Sequence, residues 1–212
     1  MEVPPELSWS LQIGSGILWT AVYILIIRLG FSEKTYGMPI PALCANISWE
    51  FIFSFLYPHN APQNYINIVW FVFDLVIVAQ TLRFGKSSFE PGWLFYPAFV
   101  LGLVTSFAAI LAITHEFTDW DGRYSAFGQN LMMSVLFVAL LLKRRDVTGQ
   151  SIYIALGKMI GTILPSSLFF LRFPDSPLLN FLYLAIFIFD LIYVILLHAK
   201  HAELGIDPWR RF

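Results

Sequence analysis

The sequence predicts an all-α fold, an integral membrane bundle of seven transmembrane helices forming a single domain over 1–212. Three observations carry that prediction. Of the residues, 58% are hydrophobic and only 13% charged, where a soluble domain is about a quarter charged. Apolar runs of spanning length, roughly 17 to 25 residues, recur along the chain. The breaks between them are short and polar, so the helices belong to one compact bundle.

The first run, 9–28, follows MEVPPELSWS, which has acids and prolines where a cleavable leader carries basic residues, so no signal peptide is expected. It ends at GFSEKTYGMP, and the second run, 40–57, ends at PHNAPQN. Runs 65–82 and 93–114 end at RFGKSSFEPG and HEFTDWDGRY. Runs 126–142 and 151–171 end at KRRDVTGQ and RFPDSP, and the seventh is 177–197. Lysine and arginine set the orientation. Alternate loops and the C-terminus hold Arg28, Lys34, Arg83, Lys86, Lys143, Arg144, Arg145, Lys200, Arg210 and Arg211, while the opposite side holds Arg123 and Arg172. That asymmetry places the N-terminus outside or lumenal and the C-terminus in the cytoplasm. The membrane itself is the endoplasmic reticulum if the source is fungal, the plasma membrane if bacterial.

A net charge of −1 excludes a nucleic-acid footprint. The single cysteine, Cys44, excludes a disulfide framework and reads as a small apolar residue. His115, Glu116, Asp119 and Asp121 lie together in one loop, but one histidine with scattered acids lacks metal-ligand spacing. WFVFDLVIV (70–78) resembles FIFDLIYVI (187–195) four helices later, as a 3+1+3 parallel repeat would require. Chance likeness of two apolar segments is the competing account.

Three carboxylates fall inside spans: Glu50, Asp74 and Asp190. A charge at mid-bilayer costs a few kcal/mol on the most lenient scale, so each is a candidate functional residue. At ~1.5 Å per residue from the cytoplasmic ends, Glu50 lies roughly 15 Å in, Asp74 about 12 Å and Asp190 about 10 Å. One shared pocket is therefore expected. Three- and four-residue spacing puts Asn46, Trp49 and Phe53 on the face of Glu50, Trp70 beside Asp74, and Phe187 and Tyr193 beside Asp190. The acids thus meet aromatic faces and no basic partner. A carboxyl so poorly solvated stays protonated and can donate a proton, while aromatic quadrupoles stabilise a nearby cation. Against this stands the plainer account that each acid hydrogen-bonds a neighbouring helix and each aromatic only packs. Lys158, about 10 Å from the cytoplasmic end, is expected to snorkel outward. The chain contains no DDxxD, DxDD, Gly-rich phosphate loop, HExxH or GxSxG, which disfavours chemistry that ionises a metal-bound diphosphate.

KTYGMPIPALCANISWE, with its TYGM, leucine–cysteine pair and N-x-x-W-E, resembles the segment joining the first two helices of the integral-membrane terpene cyclases of fungal meroterpenoid and indole-diterpene pathways, the paxilline-cyclase group. VLGLVTSFAAILA, RYSAFGQNLMMSV, DVTGQSIY and IFDLIY extend the likeness along nearly the whole chain. The resemblance implies a metal-independent, class II cyclase needing no cofactor, in which an acid protonates a terminal epoxide or alkene of a prenyl chain and the cation closes rings. It implies Glu50 and Asp190 as the two acids; apart from the resemblance, Asp74 and Asn46 are candidates for orienting them. Trp49, Phe53, Trp70, Phe187 and Tyr193 are the expected cation-stabilising surfaces. The implied partners are the lipid bilayer and a lipophilic prenylated small molecule, made upstream by a prenyltransferase and a flavin epoxidase. Two rivals are weighed. A small proton-coupled 3+1+3 transporter would also use midplane acids, but proline–glutamine carrier motifs are not evident. A retinal-type receptor needs a pocket lysine on its last helix, and the one intramembrane lysine, Lys158, is on the sixth.

Overall fold

The computed structural model describes residues 3–212. Seven α-helices and no strands occur among them: α1 Pro5–Ser32, α2 Ile40–Phe51, α3 Gln63–Phe84, α4 Phe95–Glu116, α5 Arg123–Arg144, α6 Ile152–Arg172 and α7 Pro177–Glu203. Local chemistry sets several ends. Pro5 and Pro177 occupy the first turns of α1 and α7, where a missing N–H leaves no bond unmade. The hydroxyls of Ser151 and Ser176 accept from the Tyr153 and Leu179 N–H groups and start α6 and α7. α5 leaves a left-handed Gly122, φ 61°, where a Cβ would meet the Phe53 ring at 2.4 Å. Both the backbone and the neighbour demand glycine there.

Six of the helices are long and apolar enough to cross a membrane. The exception is the second of the seven expected spans. The second run folds as twelve α-helical residues followed by a five-residue π turn, Ile52–Leu56. At 1.5 Å per residue the α-helical part covers only about 18 Å of a hydrocarbon layer ~30 Å thick.

The helices close into a ring in the order α1, α3, α2, α5, α7, α6 and back to α1, and α4 stands outside it, packed chiefly on α2. Cys44 lies in that α2–α4 seam, 1% exposed, with Sγ facing the Phe99 carbonyl. α1 and α6 approach closely through small residues. Ser15 Oγ donates to the Gly161 carbonyl at 2.8 Å, and a Cβ on Gly157 would stand 2.7 Å from Val22. Such small-residue seams pack membrane helices where lipid offers no hydrophobic drive. At one end of the ring, Arg211 bonds Glu33 and the carbonyls of Val147 and Gln150, while Arg144 bonds the Tyr36 and Thr148 carbonyls. At the other, Arg172 donates to Ser8 Oγ, and His59 meets the Asp121 carbonyl.

Candidate active site

The ring encloses a cavity of about 530 Å³, within the range of small-molecule sites, roughly 300–1,000 Å³. α1, α2, α3, α5 and α6 line it, and α7 does not. Its inner end is formed by Tyr23, Asn46, Glu50, Trp70 and Met133. It opens beside Ser8, His59, Gln63, Arg123 and Arg172, the end opposite the Arg211 cluster.

Asn46 and Glu50 are one helical turn apart on α2 and point together into the ring. The Asn46 amide nitrogen donates to Glu50 Oε1 at 2.8 Å and to Asp74 Oδ2 at 2.9 Å, and also meets the Tyr23 hydroxyl. Tyr23 donates to the same Glu50 oxygen at 2.6 Å. One amide therefore ties two carboxyls from α2 and α3 to a phenol on α1. Glu50 is 1% exposed and Asp74 fully buried. Among the described residues, Glu50 Oε2 and Asp74 Oδ1 have no hydrogen-bond partner. Of the two acids only Glu50 lines the cavity.

The indoles are fixed by their N–H groups. Trp49 donates to the Gly122 carbonyl and to Ser125 Oγ, both at 3.1 Å, and Trp70 donates to Thr20 Oγ1 at 3.2 Å. Trp19 closes the group, its ring 6.5 Å from that of Trp70 and 6.3 Å from that of Tyr23. With the polar edges occupied, the ring faces remain as apolar, electron-rich wall. Phe53 sits behind this wall, stacked on His59 at 5.2 Å and against Trp49 at 4.8 Å.

The mouth carries titratable groups outside the helices. His59 faces Asn67 Nδ2 with Nδ1 and the Asp121 carbonyl with Nε2, so it is a neutral imidazole with both nitrogens committed. Burial lowers its pKa, partly opposed by the Asp121 carbonyl. Burial raises that of Asp119, against the pull of the Tyr124 N–H and Arg123.

Asn46, Trp49, Glu50, Trp70 and Asp74 are thus gathered as the sequence suggests, but α7 is not part of the group. Asp190 is correctly a buried acid, yet its partner is a base: Lys158 Nζ lies 2.6 Å from Asp190 Oδ1. The expectation of an acid without a basic partner fails there, and so does that of a snorkelling Lys158, which is fully buried. Three acceptors hold the lysine inside: Asp190, Ser134 and Asn130. Glu50 pairs with Asp74 instead of Asp190, because the ring order sets α2 against α3 and leaves α7 between α5 and α6. Tyr193 packs on Phe137 and donates to Gln150 Oε1, and Phe187 is 41% exposed on a groove between α6 and α7. Neither reaches the cavity. Tyr23 and Trp19 were not singled out from the sequence. Their four-residue spacing was the available signal, but aromatic pairs are common in apolar runs.

An acid pair thus stands at the inner end of an aromatic cavity, inside an apolar helical bundle. Comparison with known proteins names the class. The family model of the Pyr4-like transmembrane terpene cyclases matches residues 3–202, and the chain belongs to that family. The Pyr4-family terpene cyclase mfmH of Annulohypoxylon moriforme is 34% identical over 175 residues, 79% of this chain and 72% of its own. The terpene cyclase macJ of Penicillium terrestre is 32% identical over 74% of this chain and 64% of its own. The terpene cyclase pyr4 of Aspergillus fumigatus is 25% identical over 76% and 69%. No solved structure matches. The chain is therefore an integral membrane protein of a cyclising enzyme family, and nothing in these comparisons supports the transporter reading.

Proposed function

We propose that this chain is a class II cyclase in which Glu50 protonates a terminal epoxide or alkene of a prenyl chain held in the α1–α6 cavity. The observation that carries the reading is the Glu50–Asp74 pair, joined through Asn46 at the closed end of a cavity walled by Trp19, Trp49 and Trp70. Two carboxyls so close in a dry site do not both ionise, and they hold a proton between them. Glu50 delivers it, since Glu50 alone of the pair meets the cavity. Asp74 and Asn46 orient Glu50, and Tyr23 fixes its Oε1 and leaves Oε2 to face the substrate.

With an epoxide, the proton goes to oxygen, one C–O bond breaks, and a hydroxyl and a tertiary cation result. The π pair of the next alkene closes a C–C bond and moves the cation along the chain. The cascade ends when a neighbouring carbon loses a proton or an internal oxygen captures the cation. No electrons are gained or lost. The indole faces stabilise each cation, and the cavity shape folds the chain before the first step.

A substrate with a polar acceptor at one end fits the gradient of the site, its reactive end at Glu50 and its oxygens beside Arg172 and Ser8. Along α1, Ser8 to Tyr23 is fifteen residues, so the cavity is about 22 Å deep. That suits a prenylated meroterpenoid or indole substrate supplied by a prenyltransferase and a flavin epoxidase. For topology we read seven crossings in a 3+1+3 plan, with the mouth lumenal. The ring order maps onto itself when α1, α2 and α3 exchange with α5, α6 and α7, and the outlying α4 is left as the link. That exchange swaps Asp74 with Asp190.

The test is expression in membranes with an epoxy-prenylated acceptor. Glu50→Gln is expected to lower the cyclisation rate by about 10²–10⁴, the span of a general acid, and chelator to leave the wild-type rate unchanged. Full cyclisation by Glu50→Gln would end the assignment.

A further inference from the structure

Asp190 is the acid that family likeness sets beside Glu50, but its surroundings suit a different task. Its Oδ1 is 2.6 Å from Lys158 Nζ, with the two side chains 2% and 1% exposed. That oxygen is taken by the lysine, and no atom of Asp190 lines the cavity. Asp190 also sits on α7, away from the cavity, and its Oδ2, without a partner among the described residues, belongs to a residue lining the groove between α6 and α7.

What reaches the cavity is Lys158's other contacts. The ammonium has three N–H donors, and three acceptors take them: Asp190 Oδ1, Ser134 Oγ at 2.6 Å and Asn130 Oδ1 at 3.2 Å. Asn130 lines the cavity and is held at its other end, its Nδ2 donating to Thr162 Oγ1 at 3.1 Å. Lys158 Nζ lies 5.9 Å from the ring centre of Trp19, a second wall residue. We propose that Asp190 is a positioning residue for the cyclisation: through Lys158 it holds Asn130 and Trp19 in the cavity wall, and it donates no proton to the substrate. This rests on the cyclase reading above.

The consequence is a particular pattern of loss. Removing Asp190 leaves a buried ammonium without its counter-charge, so Lys158 either sheds its proton or moves, and the wall behind Trp19 loses its anchor. Removing both charges with side chains of similar volume avoids that penalty. A proton donor could not be rescued in this way.

Wild type, Asp190→Asn, Lys158→Met, the double variant Lys158→Met/Asp190→Leu, and Glu50→Gln are compared in membranes on an epoxy-prenylated acceptor. The readouts are the cyclisation rate and the share of diol, formed when water captures the first cation and a proton leaves. Asp190→Asn is expected to lose at least about tenfold in rate with a larger diol share, and the double variant to recover at least about tenfold over it. Lys158→Met, which keeps Asp190, is expected to lose rate and raise the diol share in parallel with Asp190→Asn. A double variant that is folded by its thermal melt yet as inactive as Asp190→Asn would overturn the proposal. So would a Lys158→Met protein with wild-type rate and product ratio, a comparison that decides the matter even if the double variant does not accumulate. Glu50→Gln separates the two questions, because its retained activity would sink the donor assignment whatever Asp190 does.

Discussion

One amide nitrogen, that of Asn46, meets Tyr23, Glu50 and Asp74, and the chemistry of the site depends on that convergence. Replacing Asn46 by leucine would leave two buried carboxyls sharing no donor, the costliest kind of polar loss. Tyr23 is more instructive. Tyr23→Phe keeps the ring stacked on Trp70 and Phe73 but removes the hydrogen bond to Glu50. Its expected effect is a fall in kcat of up to about tenfold with KM little changed, since one neutral hydrogen bond is worth about 0.5–1.5 kcal/mol. Steady-state kinetics in membranes would check it, and an unchanged kcat would remove Tyr23 from the machinery. At the mouth, the folded state favours neutral His59, so its contribution to stability is full above its unfolded pKa and declines as pH falls through it. Between about pH 7 and 5 the His59→Gln protein should lose less melting temperature in detergent than wild type. Asp119, shifted upward, works in the opposite sense and is common to both proteins.

Among the elements, the α1–α6 seam bears most on the cavity, because Trp19 and Tyr23 ride on α1. Gly161 lies 3.0 Å from Trp19 as measured from a built Cβ, and Gly157 lies 2.7 Å from Val22. Gly157→Leu should force the two helices apart and cost about 1–3 kcal/mol, the usual range for an overfilled core. Gly128→Ala is the control, since nothing stands within 4 Å of that position. Thermal unfolding of both in detergent would compare them, with equal melting temperatures arguing against a tight seam. α2 teaches a related lesson. Its π turn follows directly on Glu50 and Phe51, and such turns are frequent beside functional residues. Nothing in the run 40–57 distinguishes those residues from a plain spanning helix, because a π turn has no composition of its own.

For the whole molecule, the proposed orientation rests on the charge asymmetry and sets the mouth, with Arg123 and Arg172, on the side away from the cytoplasm. Lys86→Cys and Glu116→Cys, made in a Cys44→Ser background, should label from opposite faces, the first from the cytoplasm. Labelling of both from one face would refute the orientation. Under the proposed 3+1+3 plan, the two aspartates hold equivalent places and meet different partners. Asp74 meets an amide and a second acid, and Asp190 meets an ammonium.

Composition and run length were enough for the all-helical membrane class, because the bilayer leaves a chain few ways to satisfy its backbone. Burial cost alone was enough to single out Glu50, Asp74 and Asp190, since any charge in an apolar run demands a reason. Partnership was a different matter. Depth along a helix is legible from residue counting, but which helices stand side by side is not. The pairing of Glu50 with Asp190 came from the family resemblance, and residue counting placed all three acids in one layer without the ring order that sets α2 against α3. Lys158 shows the same limit from the other side. Its distance from the helix end pointed outward to water, and only the inward face of α6, opposite Asp190, Ser134 and Asn130, supplied three acceptors that hold it in.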